Sequence, residues 1–292
     1  MTTGLPPTRA ADVAIAATSP AATAALPLVS TALVGVFDSG LGGLSVLGAL
    51  QARLPFTDVV YVADSGHAPY GDRDDDHVVR RSHRVAQYLL DQGASVLVIA
   101  CNTATAVAVA EIRARWPELP IVGVEPGIKP AMQASRNGHV GVMATPTTLR
   151  SDKFVRLMRT HAGSGHLHLQ PCPGLARLIE GGDLESPELI ALIESHAAPL
   201  REAGVDTVVL GCTHYPFVMP QLRRVFGADV TIIDTADAVA RQAAHLFASL
   251  ALPASTRPGV IRLVTTGDTG VLDKVAAQWL GLAVVAEGRP DL

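Results

Sequence analysis

The chain has 292 residues, 48% of them hydrophobic and 17% charged, which is enough to bury one large core or two smaller ones. Its 23 basic and 27 acidic residues leave a net charge of −4, no stretch gathers five like charges, and aromatic residues make up only 4%. This balance disfavours nucleic acid and anionic membrane as partners and points to a small-molecule substrate.

Residues 1–30 are rich in Ala, Thr and Pro, without the basic start and unbroken apolar segment of a signal peptide, and are expected to be a disordered tail. No later window offers the roughly 20 consecutive apolar residues that span a bilayer, so a soluble, cytoplasmic protein is expected. From Leu33 onward short apolar runs alternate with longer helix-compatible segments, the pattern of a parallel α/β protein. The strand candidates of the first half are "LVGVF" (33–37), "VVYVA" (59–63), "VLVIA" (96–100) and "IVGV" (121–124). Those of the second half are "HVGVMA" (139–144), "HLHLQ" (166–170), "TVVLG" (207–211) and "VTIID" (230–234), and "VIRLVTTG" (260–267) follows. Their continuous apolarity predicts strands covered on both faces. Between them lie helical segments such as 77–93, with Gly93 as a C-terminal stop. "VGVFDSG" at Val34 and "VGVMATP" at Val140 form a weak repeat, separated by nearly the distance between Cys101 and Cys212. Two similar domains facing each other are therefore expected.

Ligands of open α/β sheets bind at the carboxyl ends of strands, and polar residues collect there: Asp38 and Ser39, Asp64 and Ser65, Cys101 to Thr103, Thr145, and Cys212 to His214. The glycines of "DSGLGGLSVL" do not make a dinucleotide fingerprint, because Ser45 stands at the third glycine position. They suit a sharp turn that brings helix amides close to an anion such as a carboxylate. Asp38, just before that turn, reads equally as a helix cap or as a catalytic group. The chain holds three lysines, Lys129, Lys153 and Lys274, none with a convincing phosphate cradle for pyridoxal chemistry, so a cofactor-free mechanism is expected.

Three cysteines without a C-x-x-C pair write neither a disulfide framework nor a four-cysteine zinc site, and no metal is expected. Cys172, in "QPCPGL", reads as a small buried hydrophobe. Cys101 and Cys212 each end a strand and enter a polar turn. The strong helix after Cys101 is expected to lower its thiol from the usual ~8.5 toward neutrality. A Cys-His hydrolase would use Cys212 with His214 but leave Cys101 unexplained, and a redox or metal role for both sulfurs matches no standard spacing. An isomerase with a thiolate on one side of a tetrahedral carbon and a thiol on the other uses both.

"FDSGLGGLSVL", "ADSGHAPYGDR", "ACNTATA", "CPGLARLIEGG" and "LGCTHYPF" stand in the order and approximate spacing of the glutamate racemase family, and the resemblance covers about residues 33–285. That resemblance implies a cofactor-independent isomerase that makes D-glutamate for peptidoglycan synthesis, with a racemase for aspartate or another amino acid as the nearest rival chemistry. It implies that Cys101 deprotonates D-glutamate and Cys212 L-glutamate, with Asp38 assisting the first and His214 the second. It further implies substrate contacts from Asp38, Ser39, Asn102, Thr103, Thr145, Thr213 and His214, closure by Tyr70 and Gly71, and a nearby acid in Glu180. Two α/β domains with mostly parallel sheets across a central cleft are implied, one from 31–126 plus 234–292 and the other from 127–233, in a homodimer.

Overall fold

A computed structural model describes residue 1 and residues 32–163, 165–252 and 255–292. The expected tail over 1–30 lies outside the described residues apart from Met1. Along the chain run β1 (Leu33–Asp38), α1 (Leu44–Arg53), β2 (Asp58–Ala63), α2 (Asp75–Asp91), β3 (Ala94–Ile99), α3 (Asn102–Arg115) and β4 (Ile121–Gly123). Then come α4 (Ile128–Ala134), β5 (His139–Ala144), α5 (Pro146–Arg150), α6 (Asp152–His161), β6 (His166–Pro171), α7 (Leu175–Glu180), α8 (Pro187–Glu202) and β7 (Thr207–Gly211). The remainder is α9 (Met219–Phe226), β8 (Thr231–Ile233), α10 (Ala236–Ser249), β9 (Ile261–Thr265), α11 (Thr269–Leu280) and β10 (Glu287–Gly288).

The strands form two wholly parallel sheets, ordered β10-β9-β2-β1-β3-β4 and β6-β5-β7-β8. The second order repeats the first: β5 sits between β6 and β7 as β1 sits between β2 and β3, and β8 follows β7 as β4 follows β3. The faint likeness of "VGVFDSG" and "VGVMATP" therefore marks the corresponding strands of two sheets with one topology.

Alternate side chains of each strand feed separate cores, as the two-residue period requires. In the first sheet Val34, Val36, Tyr61, Val96 and Val98 pack with Leu47 of α1, Val239 of α10 and Leu272 of α11. Phe37, Val60, Val62, Leu97 and Ile99 turn the other way, onto Val85 and Leu89 of α2 and Ile112 of α3. In the second sheet Met143, Val208 and Leu210 meet α7, α8 and α9, while Val140, Val142 and Val209 meet α4 and α6. Each fully buried aliphatic side chain contributes about 1.5–3 kcal/mol of transfer free energy.

Helix ends follow local chemistry. Asp74 caps α2 through the His77 amide at 2.7 Å, and Gly93, just beyond the helix at φ +92°, supplies the left-handed turn that a side chain resists. Ser186 caps α8 with Pro187 in the first turn, and Asp268 caps α11. One expectation fails: β6 is an edge strand with no fully buried residue, and Leu169 is 40% exposed, so it is not covered on both faces. Leu167 and Leu169 share a face, and only Leu167 reaches the core. Among the described residues no helix is long and apolar enough to cross a membrane.

Candidate active site

Parallel pairing brings the carboxyl ends of β1, β2 and β3 to one rim and those of β5, β6 and β7 to another. Between them lies a cleft enclosing about 560 Å³, part of it open to solvent. All twelve predicted site residues line it: Asp38, Ser39, Tyr70, Gly71, Cys101, Asn102, Thr103, Thr145, Glu180, Cys212, Thr213 and His214. Cys101 follows β3 and Cys212 follows β7, the equivalent strands of the two sheets. Both are nearly buried, at 5% and 7% exposure.

Cys101 is the cap of α3. Its Sγ accepts from the Ala104 amide at 3.5 Å and lies 3.5 Å from the Ser39 hydroxyl. The expected lowering of this thiol does not occur. Burial, and then the carboxylate of Asp38, push Cys101 well above the ordinary thiol range, outweighing the amide and the hydroxyl. Reasoning from the helix terminus alone omitted the cost of placing a thiolate in a dry site beside another anion. Asp38 is itself raised by burial, against the opposing pull of His214, Cys101 and the Gly43 amide.

Cys212 has different company. Its Sγ is 3.5 Å from Nδ1 of His214, whose Nε2 is 2.8 Å from Oε1 of Glu180. Burial alone would pull His214 down, but Cys212 and Glu180 more than offset it and raise the imidazole well above its usual value. Burial likewise favours neutral Glu180, yet the hydrogen bond and charge of His214, with the Leu41 amide, hold that carboxyl below its usual value. His214 thus sits between a sulfur and a carboxylate that both favour its charged form.

The glycine-rich turn explains how these groups come so close. Leu41 N–H donates to Glu180 at 2.8 Å, and Gly43 N–H donates to Asp38 at 2.7 Å. The anions met by these turn amides are therefore side chains of the protein itself. A Cβ on Gly40 would stand 1.8 Å from Oε1 of Glu180, and one on Gly42 would stand 2.3 Å from Nδ1 of His214. Close approach, rather than an unusual φ, requires glycine at both positions. Asp38 accepts from the Gly43 amide just before α1 and also lines the cleft.

A family model described as Asp/Glu/Hydantoin racemase matches residues 45–243. The chain belongs to this family. Within it, the glutamate racemase of Pseudomonas aeruginosa is 50% identical over 238 residues, which is 82% of this chain and 90% of that protein. A crystal structure of the glutamate racemase isoform RacE1 of Bacillus anthracis superposes with a TM-score of 0.81 at 28% identity, covering 88% of this chain and 97% of that one. The Escherichia coli glutamate racemase, solved in complex with L-glutamate and the activator UDP-MurNAc-ala, gives a TM-score of 0.79 at 28% identity over 88% and 98% of the two chains. This racemase is accordingly an isomerase with the two-domain α/β fold of its relatives.

Hydroxyl groups bridge the two sheets of the racemase. Thr103 Oγ1 lies 3.1 Å from Thr145 Oγ1, Thr213 Oγ1 is 3.5 Å from Asp38, and Thr147 Oγ1 donates to the Gly71 carbonyl at 2.7 Å. Asn102 presents a buried Oδ1 without a partner at the cleft wall. Among the described residues no three His, Cys, Asp or Glu side chains are grouped to hold a metal ion. Cys172 lines the cleft at the end of β6, the position that Asp64 holds after β2, and burial raises its thiol. Cys172 is also the buried core residue expected from the sequence, 2% exposed and packed with Leu175 and Ile193. The one signal of its place on the cleft was its position at a strand end, shared with Cys101 and Cys212. Tyr61, whose hydroxyl donates 2.8 Å to the Gly40 carbonyl, was missed because it lies inside a strand and looks like any core aromatic.

Proposed function

We propose that this racemase interconverts L- and D-glutamate by a two-base proton transfer at Cα, with Cys101 and Cys212 acting from opposite faces. The observation that carries the reading is that the equivalent strands β3 and β7 of the two sheets each deliver a buried sulfur into a single cleft, Cys101 beside Asp38 and Cys212 beside His214. Glutamate as substrate is supported by the relatives at 50% identity and by the L-glutamate complex of the Escherichia coli protein.

In the direction from D to L, the Cys101 thiolate takes the Cα proton and the Cys212 thiol delivers another to the opposite face; the reverse direction exchanges the roles. Burial and Asp38 disfavour the Cys101 thiolate. The substrate ammonium, placed near Asp38 and Ser39, brings the positive charge that lets a thiolate form there. Deprotonation is thereby tied to occupancy. His214 orients the Cys212 sulfur, and Glu180 holds His214 in place and charged. Asn102, Thr103, Thr145 and Thr213, with Ser39, are neutral donors and acceptors suited to a zwitterion. Tyr70 and Gly71 wall the cleft. The two bodies are residues 31–126 with 234–292, and residues 127–233. D-glutamate made this way supplies peptidoglycan synthesis.

Circular dichroism of glutamate solutions tests the reading directly. Purified, dialysed protein is expected to bring either enantiomer to zero ellipticity and, in D₂O, to place deuterium at Cα of the newly formed one. Cys101→Ser and Cys212→Ser are each expected to lose net racemization by several powers of ten, at about 1.4 kcal/mol of barrier for each. A Cys101→Ser protein that racemizes at the parent rate would overturn the two-base assignment.

A further inference from the structure

Asp64 stands just past β2, beside the strand that carries Asp38, and is fully buried. Its carboxylate collects four donors: Arg81 Nε at 2.9 Å, Arg81 Nη2 at 2.7 Å, the Tyr70 hydroxyl at 2.5 Å and the Thr266 hydroxyl at 2.9 Å. Arg81 comes from the buried face of α2 and is itself 9% exposed; its Nη1 donates to the Leu292 backbone oxygen at 2.9 Å. Taking such a pair out of water costs several kcal/mol per ion, repaid only when every polar atom finds a partner. Well-packed apolar side chains would fill the space at least as stably, so stability alone does not account for the pair.

The Tyr70 hydroxyl suggests what the pair accomplishes. Tyr70 is wholly buried, packs in the same core cluster as Cys101, and lines the cleft with it. The next residue, Gly71, accepts from Thr147 of the other sheet at 2.7 Å, and a Cβ on it would stand 3.0 Å from the Thr145 side chain. The short turn Tyr70–Asp72 is thus pinned to the first sheet through Asp64 and to the second through Thr147.

We propose that Arg81, acting through Asp64, is a positioning residue that fixes the Tyr70–Gly71 wall of the cleft against Cys101. Its planar fork holds both carboxylate oxygens in one plane, and that plane aims Oδ2 at the phenol. Lysine retains the charge but, as a point donor, does not set that plane.

The kinetic part of the test rests on the racemase reading, whereas the chemical part does not. Iodoacetamide labelling of Cys101, followed by peptide mass spectrometry on the full chain, is expected to speed up about tenfold in Arg81→Lys and in Tyr70→Phe, the scale of one charged hydrogen bond. Cys212 should stay within about twofold, because the disturbance is local to one wall. In the same variants KM for glutamate should rise by about tenfold with a smaller change in kcat, the signature of a displaced binding wall. The double variant Arg81→Lys/Tyr70→Phe should be no worse than the larger single, since Arg81 works through the phenol. Unchanged Cys101 labelling in both singles, or effects that multiply in the double, would overturn the proposal. Should Arg81→Lys not fold, Tyr70→Phe alone decides by the same labelling rate, because it leaves the ion pair intact. An inactive parent chain would sink the racemase reading and still leave the labelling rates to judge this one.

Discussion

Cys101 and Cys212 hold equivalent places in their sheets but sit in unequal fields. Cys101 faces a carboxylate and a hydroxyl, whereas Cys212 faces the imidazole of His214 backed by Glu180. The Glu180–His214 pair has a pH signature. Glu180 is depressed on folding, so its share of stability is present above the ordinary carboxylate range, ~4.3, and is lost as pH falls through the folded value. His214 is raised, so its share is complete below ~6.5 and is lost as pH rises through the folded value. The pair therefore stabilises most fully between these limits. Glu180→Gln is expected to cost about 1–3 kcal/mol there, as for a hydrogen bond between charged groups, and the deficit should shrink toward pH 3. Calorimetric melting of parent and variant across pH 3–8 measures it; a deficit independent of pH would remove the charge pairing. From sequence, His214 was legible beside Cys212, and the family motif drew attention to Glu180. Their contact was not legible, because Glu180 ends α7 and no spacing rule joins it to a turn 34 residues on.

At the scale of elements, the glycine turn before α1 acts as a socket for side chains of the other sheet. Gly42→Ala would place a methyl group where the His214 ring now lies. On the proposed role of His214, its displacement by an ångström costs on the order of a hundredfold in rate, so kcat/KM should fall by about that factor. The helix should persist, because alanine is the better helix former next to its first turn. Paired turnover and thermal melts separate the two effects, and a variant of parental activity would refute the socket. The sequence showed that glycine was needed here but not for what, since nothing in "DSGLGG" names the ring that fills the space. Strand positions were the most legible feature, because β-branched runs bury on both faces. β6 misled because its position at the sheet edge, where helices leave Leu169 uncovered, is not written in its own residues, and the two-residue β10 escaped because so short a pairing leaves no period to detect.

Over the whole molecule, the site exists only where the two sheets meet. Thr103 with Thr145, Thr213 with Asp38, Leu41 with Glu180 and Gly71 with Thr147 are contacts between sheets. A substrate held by both should tie them together, so glutamate at about a hundred times its Kd should stabilise the folded chain by roughly 2.7 kcal/mol. It should also slow alkylation of Cys101 and Cys212 in parallel. Protection of one cysteine without the other would mean that ligand engages a single sheet. The two-sheet plan was legible from the paired motifs at Val34 and Val140, and the repetition of the strand order shows why so short a likeness carried weight.

That repeated strand order has a consequence for kinetics. Mirror-image substrates in water have equal free energy, so the equilibrium constant of a racemase is one, and the Haldane relation forces kcat/KM to be the same in both directions. Two copies of one topology facing each other suit a reaction whose two ends are reflections, yet the acid beside each sulfur differs. The inequality between the Asp38–Cys101 and Glu180–His214–Cys212 sides therefore has no outlet in kcat/KM. It must surface as a higher kcat matched by a proportionally weaker KM for one enantiomer. A substitution on either side can shift that partition, but no substitution, however lopsided, can turn the enzyme into a one-way producer of D-glutamate.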